Sequence, residues 1–270
     1  MGKIIAVANQ KGGVGKSTTV VNLAAFLGTR GKKVLCVDFD PQGNSTTGFG
    51  IKKRTVEITS YNVIIGKNRV QDAVIVTDFE NVSVIPATET LAGAEMELIN
   101  MENRVNRLKM QLLTVKNDYD YILIDCPPAL GSLTINALVS ADSIIVPMLA
   151  EFYALEGLSQ LVNTIKIVKN NYNPSLDIEG ILFTMFDGRL NVANDVVSEV
   201  EKYFPNKVFK TKIPRNVRIS EAPSHGKPVM YYDKNSKGTE SYELLCHEIL
   251  GEAMELPQKK RRGIFTFKKS

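Results

Sequence analysis

Short runs of apolar residues alternate with longer amphipathic segments along nearly the whole chain. Several runs are apolar throughout, which is typical of parallel strands buried on both faces. They predict strands at residues 3–8, 34–38, 82–85, 121–125, 143–147, 178–184 and 208–213. The amphipathic segments predict helices at residues 16–30, 90–116, 130–140, 154–171, 192–203 and 236–254. This alternation predicts an α/β fold with a doubly wound, mostly parallel sheet and helices on both of its faces.

The longest amphipathic segment, residues 90–116, allows two interpretations. Apolar residues recur there at three- and four-residue spacing from Leu91 to Val115. Such a stripe can form the seam of a coiled coil. In an α/β protein it more often packs a helix onto the sheet, and we expect that for most of this stripe.

Composition and charge indicate a folded chain whose excess positive charge is confined to one end. The chain has 270 residues, of which 44% are hydrophobic and 23% charged, as in ordinary globular proteins. The formal charge is +4, but residues 257–270 hold six Lys/Arg and no acid, which leaves 27 basic against 29 acidic residues elsewhere. We therefore expect one domain, residues 1–256, and a basic C-terminal tail, residues 257–270. Nucleic-acid binding by the domain would need a local patch of positive charge.

Cysteine usage and the apolar runs favour a cytoplasmic protein. Cys36, Cys126 and Cys246 are far apart, which suits reduced thiols better than a disulfide framework or a zinc site. No apolar run reaches the roughly 18–20 residues that a membrane span needs. The first residues lead directly into an apolar run, so a signal peptide is not expected.

A glycine-rich segment joins the first predicted strand to the first predicted helix. Residues 9–18 read N-Q-K-G-G-V-G-K-S-T. Glycines let backbone N–H groups turn towards phosphate oxygens, and the start of a helix adds its positive dipole end. Lys16 is expected to reach the β- and γ-phosphates, Ser17 to bind Mg²⁺, and Thr18 to lie near the α-phosphate. The expected nucleotide-binding residues are Lys11, Gly12, Gly13, Val14, Gly15, Lys16, Ser17 and Thr18.

A second lysine distinguishes this loop from the usual G-x-x-x-x-G-K-[ST] pattern. Gln10 stands where that pattern has glycine, and Lys11 lies five positions before Lys16. Two ammonium groups are more than one triphosphate site normally uses. One of them is therefore expected to reach the nucleotide of a second, facing copy of the chain.

The loop K-G-G-V-G-K-S-T resembles the deviant Walker A box of the ParA/MinD class of ATPases, which have the P-loop NTPase fold. Residues 213–229, I-P-R-N-V-R-I-S-E-A-P-S-H-G-K-P-V, resemble the ParA/Soj partitioning proteins within that class. The resemblance extends over roughly residues 2–255. It implies that Lys11 contacts the phosphates of the opposite subunit in an ATP-sandwich dimer.

Three aspartates follow two of the predicted strands. Asp38 and Asp125 end apolar strands, where doubly wound sheets bind ligands, and are expected beside the Mg²⁺ ion. Asp40 is expected to orient the attacking water, and the resemblance implies the same role for it. D-x-D-P-x-G is also good turn chemistry, which is the alternative interpretation of the segment. The expected catalytic residues are Lys11, Lys16 and Asp40.

Two further loops receive roles from the resemblance alone. It implies that Asp187, Pro214 and Asn216 surround the adenine. It also implies that Arg189 and Arg218 contact DNA.

The sequence as a whole predicts an ATP- and Mg²⁺-dependent ATPase that partitions chromosomes or plasmids. The resemblance implies an ATP-bound homodimer that binds nonspecific double-stranded DNA on the nucleoid. A ParB-type centromere-binding protein would stimulate its slow ATP hydrolysis. The alternative is a MinD-like positioning ATPase that attaches to membrane through the basic tail, although that tail has few large apolar residues to serve as an anchor.

Overall fold

Seven strands form one sheet in the computed structural model, which describes residues 2–152 and 154–252. The strands are β1 (Lys3–Val7), β2 (Val34–Asp38), β3 (Ile75–Val76), β4 (Val82–Ile85), β5 (Tyr121–Asp125), β6 (Ser143–Leu149) and β7 (Asp177–Thr184). Their order in the sheet is β3-β4-β2-β5-β1-β6-β7. Only β3, at one edge, runs antiparallel to its neighbour. The predicted mostly parallel, doubly wound sheet is confirmed.

Helices connect the strands and cover both faces of the sheet. They are α1 (Lys16–Thr29), α2 (Asn44–Gly48), α3 (Ser60–Ile64), α4 (Leu91–Ile99), α5 (Arg107–Leu113), α6 (Ser132–Ser140), α7 (Ala154–Asn171), α8 (Asn191–Tyr203), α9 (Val217–Glu221), α10 (Val229–Tyr232) and α11 (Lys237–Leu250). Four 3₁₀ turns lie at Lys53–Thr55, Val70–Ala73, Lys116–Asp118 and Ala222–His225.

Alternate residues of the strands build two separate cores. In β1, Ile4 and Ala6 pack with helices α3 to α8 on one face. Ile5 and Val7 pack with α1, α10 and α11 on the other. Because both faces are buried, the central strands can be apolar at every position, which is the pattern that the sequence shows.

The parallel arrangement gathers the carboxyl ends of the strands at one edge of the sheet. β1 ends there in the glycine-rich loop, and β2 and β5 end in Asp38 and Asp125. These two aspartates are direct partners in the strand register. The predicted site residues on these three strands are therefore brought together by the fold.

The predicted strand at residues 208–213 is wrong. Val208 and Pro214 form only isolated bridges, with Ile181 and Phe186. Between them, the backbone N–H groups of Lys210 and Thr211 donate to the Glu248 carboxylate at 2.7 and 3.0 Å. The Glu248 side chain, on α11, thus accepts hydrogen bonds from N–H groups in the middle of the segment, where a continuous strand would pair with β7.

The predicted helix at residues 90–116 is broken into α4 and α5. Residues 100–106 form turns between them, with Asn103 in the left-handed region at φ 53°. Asparagine tolerates this conformation and competes with helix formation through its side chain. The apolar stripe packs on the sheet as expected, since Leu91, Leu98 and Leu112 are fully buried in the core.

Several short elements were not predicted from the sequence, and one prediction lies outside the described residues. The helices α2, α3, α9 and α10 and the edge strand β3 are each only two to five residues long, too short to give a periodic signal. The basic tail at residues 257–270 falls outside the part of the chain that the structure describes. None of the described helices has the length and apolar character that crossing a membrane requires. The three cysteines are free and buried.

Replacing Glu248 by alanine should destabilise the fold. The Lys210 and Thr211 N–H groups would lose their acceptor, and leaving a buried donor such as that of Thr211 unpaired costs about 1–3 kcal/mol. Urea unfolding followed by circular dichroism measures the free energy of unfolding. Glu243→Ala on the same helix is the control, because it removes only a surface ion pair with Arg30, worth up to about 1 kcal/mol. Equal stabilities of the two variants would contradict the role given to Glu248.

Candidate functional site

A loop of left-handed glycines forms one wall of a cavity at the carboxyl edge of the sheet. Gly13 and Gly15 have φ angles of 70° and 86°. Gly15 is the N-cap of α1, and no side chain caps that end of the helix. The cavity, about 500 Å³, is lined by residues that include Gly12, Gly13, Gly15, Lys16, Ser17 and Thr18. Free backbone N–H groups at a helix start, facing a concave space, are suited to bind phosphate.

Lys16 is held inside this cavity by its own loop. The residue is 6% exposed. Its Nζ donates to the backbone oxygen of Lys11 at 3.3 Å. Burial lowers the pKa of Lys16, while the carboxylates of Asp125 and Asp40 act in the opposite direction. A buried ammonium group of this kind favours an incoming anion.

The loop is fixed from behind by the end of β7. The Thr184 hydroxyl donates to the backbone oxygen of Val14 at 2.8 Å. The side chain of Val14 is buried in the protein rather than turned to the cavity. Val14 can therefore contact a phosphate only through its backbone, and its side chain anchors the loop.

Asp38 and Asp125 lie side by side at the ends of β2 and β5, and neither is exposed to solvent. Burial raises the pKa of both carboxyls, and each lies close enough to other aspartates for their charge to raise it further. The pKa values are raised because ionising two neighbouring carboxyl groups away from water is energetically unfavourable. Hydrogen-bond donors from α2 offset part of that cost.

Asp38 is bound by α2. The Thr46 backbone N–H and hydroxyl both donate to Asp38 Oδ2, at 2.7 and 2.6 Å. The Asp40 N–H lies 3.3 Å from Asp38 Oδ1. Thr46 Oγ1 also accepts from the Ala87 N–H at 2.9 Å. Asp38 thus holds α2 through hydrogen bonds, and its expected position beside the Mg²⁺ ion stays a prediction.

Asp125 keeps one oxygen without a protein partner. Ser45 Oγ donates to Asp125 Oδ2 at 2.7 Å, and the Ser17 hydroxyl also stabilises this carboxylate. Asp125 Oδ1 is buried and accepts no hydrogen bond within the described chain. Hydroxyl and carboxylate oxygens are the ligands that Mg²⁺ prefers, together with water and phosphate. The residues present therefore fit a magnesium ion that is shared with a nucleotide. The described residues contain no cluster of three or more His, Cys, Asp or Glu side chains that could hold a metal by themselves.

Asp40 lies on the wall of the cavity, 6% exposed. It is held by the turn that follows β2, since the Gln42 N–H donates to Asp40 Oδ1 at 2.9 Å. Both interpretations of the D-x-D-P-x-G segment thus describe part of what is seen: the segment is a turn, and the turn places a carboxylate in the cavity.

Lys11 lies apart from the cavity that Lys16 enters. Its Nζ is 2.6 Å from Glu151 Oε2, and both side chains are largely exposed, at 43% and 56%. The loop thus separates its two lysines, one turned inward and one at the surface.

None of the three residues predicted around the adenine lines this cavity. Asp187 and Pro214 line a neighbouring cavity of about 740 Å³, which shares Met185 with the first. The Asn216 side chain accepts from the N–H groups of Arg218 and Ile219 and caps α9. The adenine assignment stays a prediction.

The two arginines predicted to contact DNA are both paired with acids. The Arg189 guanidinium lies 2.6 Å from Asp187 and lowers the pKa of that carboxyl to about 2. Arg218 lies 2.9 Å from Glu221 and 3.1 Å from Asp233. Both arginines are exposed, at 88% and 51%. Their DNA contact also stays a prediction.

The cavity has further walls that the sequence did not indicate. They come from the turn after β2, the loop after β5, the loop after β7 and the segment after α9, and include Gln42, Asn44, Pro128, Met185 and Lys227. Gln42 and Asn44 lie two and four residues after Asp40, and Pro128 lies three residues after Asp125, so their proximity to predicted site residues was the available signal. Lys227 is brought in only by the tertiary fold.

Comparison with known proteins assigns the chain to a family. A family model described as an AAA domain (AAA_31) matches residues 2–178. The chain is 57% identical over 249 residues to the sporulation initiation inhibitor protein Soj of Bacillus subtilis, which covers 92% of this chain and 98% of that protein. It is 50% identical over 264 residues to the chromosome partitioning protein ParA of Myxococcus xanthus, covering 98% of this chain and 93% of that protein.

A solved structure with a similar fold carries a nucleotide. The cobyrinic acid a,c-diamide synthase of Mycobacterium smegmatis, with bound ATP analogue and magnesium, matches with a TM-score of 0.83 and 35% identity. The match covers 93% of this chain and 94% of that one.

Replacing Thr46 by valine should destabilise the fold around the carboxylates of Asp38 and Asp125. Valine keeps the shape but removes the hydroxyl that joins Asp38 to Ala87, and leaving such buried groups unpaired costs about 1–3 kcal/mol. Thermal and urea unfolding measure the loss. Thr46→Ser should restore most of it, and Thr55→Val, at an exposed hydroxyl, should change little. A valine variant as stable as the parent would show that this hydroxyl does not support the site.

Proposed function

The chain belongs to the Soj/ParA family of chromosome-partitioning ATPases, and we propose from that premise that it is a Mg²⁺-dependent ATP switch for DNA segregation. The observation that carries the proposal is the separation of two lysines in one phosphate-binding loop. Lys16 lies inside the cavity, whereas Lys11 lies apart from it in an exposed ion pair with Glu151. The ammonium group of Lys16 would therefore bind the nucleotide of its own subunit, and that of Lys11 would be available to a nucleotide on another subunit.

ATP would bind with its phosphates along the glycine loop. The first residues of α1 line the cavity there, no side chain caps that end of the helix, and Lys16 supplies the buried positive charge. Ser17 and the free oxygen of Asp125 are the groups that would hold Mg²⁺, directly or through water. When bound, Mg²⁺ neutralises charge on the β- and γ-phosphates.

Asp40 would position the water that attacks the γ-phosphate. It is the acid of this edge that lines the cavity, whereas Asp38 and Asp125 are sealed below it. No arginine is among the described residues that line this cavity. An arginine that stabilises the transition state is worth about 10³–10⁵ in rate, so a site without one is expected to be slow. A ParB-type centromere-binding partner with a basic segment would then accelerate hydrolysis.

Dimerisation would give Lys11 its role. Its ion pair with Glu151 is exposed, and such pairs contribute only up to about 1 kcal/mol. A triphosphate on a facing subunit could replace Glu151 at little cost. The ATP-bound homodimer would present the cationic surfaces of two subunits together. It would therefore bind nonspecific double-stranded DNA in the nucleoid. Hydrolysis would release it.

ATP-dependent binding to plain duplex DNA is the test of this function. We expect the protein to cosediment with linear DNA in ATP and Mg²⁺, to do so poorly in ADP, and to dissociate as salt rises, because phosphate contacts release counterions. Arg218→Glu should weaken binding, since it adds a third acid beside Glu221 and Asp233.

The control experiment measures binding to a membrane surface. Liposomes with anionic lipid, assayed in the same way, distinguish DNA segregation from membrane-based positioning. Binding to liposomes and not to DNA would contradict the proposal and support a MinD-like protein that uses the basic tail.

Asp40→Ala should separate ATP binding from hydrolysis. Loss of water positioning should slow steady-state hydrolysis by at least about 100-fold, while the ATP-bound dimer accumulates. A phosphate-release assay and light scattering measure the two effects. Asp195→Ala, at an exposed acid of α8, is the matched control. Normal hydrolysis by Asp40→Ala would show that another group positions the water.

A further inference from the structure

Three exposed cations beside the Asp40 loop have no acidic partner. The side chains of Lys52, Arg54 and Lys227 form no ion pair and no hydrogen bond with any described residue. Arg189 and Arg218, in contrast, form ion pairs with carboxylates that lie 2.6 to 3.1 Å away. Unpaired cations keep their full attraction for an external anion, and binding it costs them no internal ion pair.

A contact between two glycines joins the two segments that carry these cations, although the segments are far apart in the sequence. Gly50 and Gly226 both lie in the left-handed region, at φ 76° and 61°. Their backbones touch so closely that a Cβ added to Gly226 would lie 2.6 Å from Gly50 Cα. Lys52 is two residues from this contact and Lys227 is one. We call the surface formed by Lys52, Arg54 and Lys227 the glycine-junction patch.

The patch is tied to the loop that carries Asp40. Lys53 lies between Lys52 and Arg54, and its Nζ donates to the backbone oxygen of Gln42 at 2.8 Å. Its side chain also packs against Gly43. A shift of the Asp40–Gly43 turn would therefore be transmitted to the patch.

The surroundings of the patch favour a polyanion over a lipid surface. Within residues 49–57 and 222–232, the only large hydrophobic side chain that is exposed is that of Tyr231, and its ring packs against Phe79. Membrane attachment by a surface segment needs apolar side chains that enter the lipid, in addition to positive charge. Backbone phosphates of a duplex need only cations at suitable spacing.

We propose that the glycine-junction patch binds the phosphate backbone of duplex DNA, in addition to any contact by Arg189 and Arg218. The proposal rests on the proposed DNA-segregation function and adds a site to it. It places DNA contact on the turn that follows α2 and on the segment that follows α9, next to the hydrolytic loop.

The variant Lys52→Gln/Arg54→Gln tests the proposal with ATP and Mg²⁺ present. Neither side chain lines the nucleotide cavity, so ATP hydrolysis without DNA should equal that of the parent. Affinity for a short duplex at about 0.1 M salt should fall at least about tenfold. The slope of log K against log salt should become shallower by about one for each phosphate that the variant no longer binds. Lys227 is left in place because it lines the cavity.

The control is Lys166→Gln/Lys169→Gln, which removes the same charge from exposed positions of α7 on the opposite face of the sheet. It should keep the parent slope. An unchanged slope in Lys52→Gln/Arg54→Gln, with the parent protein binding DNA, would overturn the patch and leave the proposed function standing. Equal reductions in both double variants would also overturn it, since they would reflect total charge. If the parent itself binds no DNA with ATP, the proposed function fails.

Discussion

Two acids that share one buried position determine much of this structure. Asp38 and Asp125 are partners on adjacent parallel strands, and neither touches solvent. Such a pair would be strongly destabilising without hydrogen-bond donors. Helix α2 supplies them, because Thr46 binds Asp38 and Ser45 binds Asp125. The short helix is thus held in place by the carboxylates, and it closes the side of the cavity that adjoins Asp40.

Sequence patterns predicted the sheet well because its strands are buried on both faces and carry an unbroken apolar signal. They failed where a distant side chain decides the backbone. The segment 208–213 has the composition of a strand, yet the N–H groups of Lys210 and Thr211 at its middle donate to Glu248. Helix α2 reads N-S-T-T-G, which are poor helix formers, and it forms because of its contacts with Asp38 and Asp125. Neither interaction leaves a local trace in the sequence.

The residues of the site also fall into two groups, those that a local sequence motif predicted and those whose position depends on the tertiary fold. The glycine loop and Asp40 are local motifs, and they line one cavity as the sequence indicated. Asp187, Pro214 and Asn216 come from loops whose placement depends on the packing of α8, α9 and α11, and none of them lines that cavity. Net charge was the least informative quantity, because the excess lies in residues 257–270. On the described surface, the arrangement of acids decides which cations are available: Arg218 has two acidic partners and Lys52 has none.

The two lysines of the loop show how burial sorts identical side chains into different roles. Lys16 is surrounded by protein and two acids, so its position is fixed before any ligand arrives. Lys11 has only Glu151, across an exposed contact of 2.6 Å. Because water screens that pair, exchanging it for phosphate oxygens costs little, and the more concentrated charge of a triphosphate favours the exchange. An intramolecular acid can therefore hold Lys11 near the cavity without opposing a second subunit. In the proposed dimer, this difference would let one loop bind its own nucleotide tightly and a facing nucleotide reversibly.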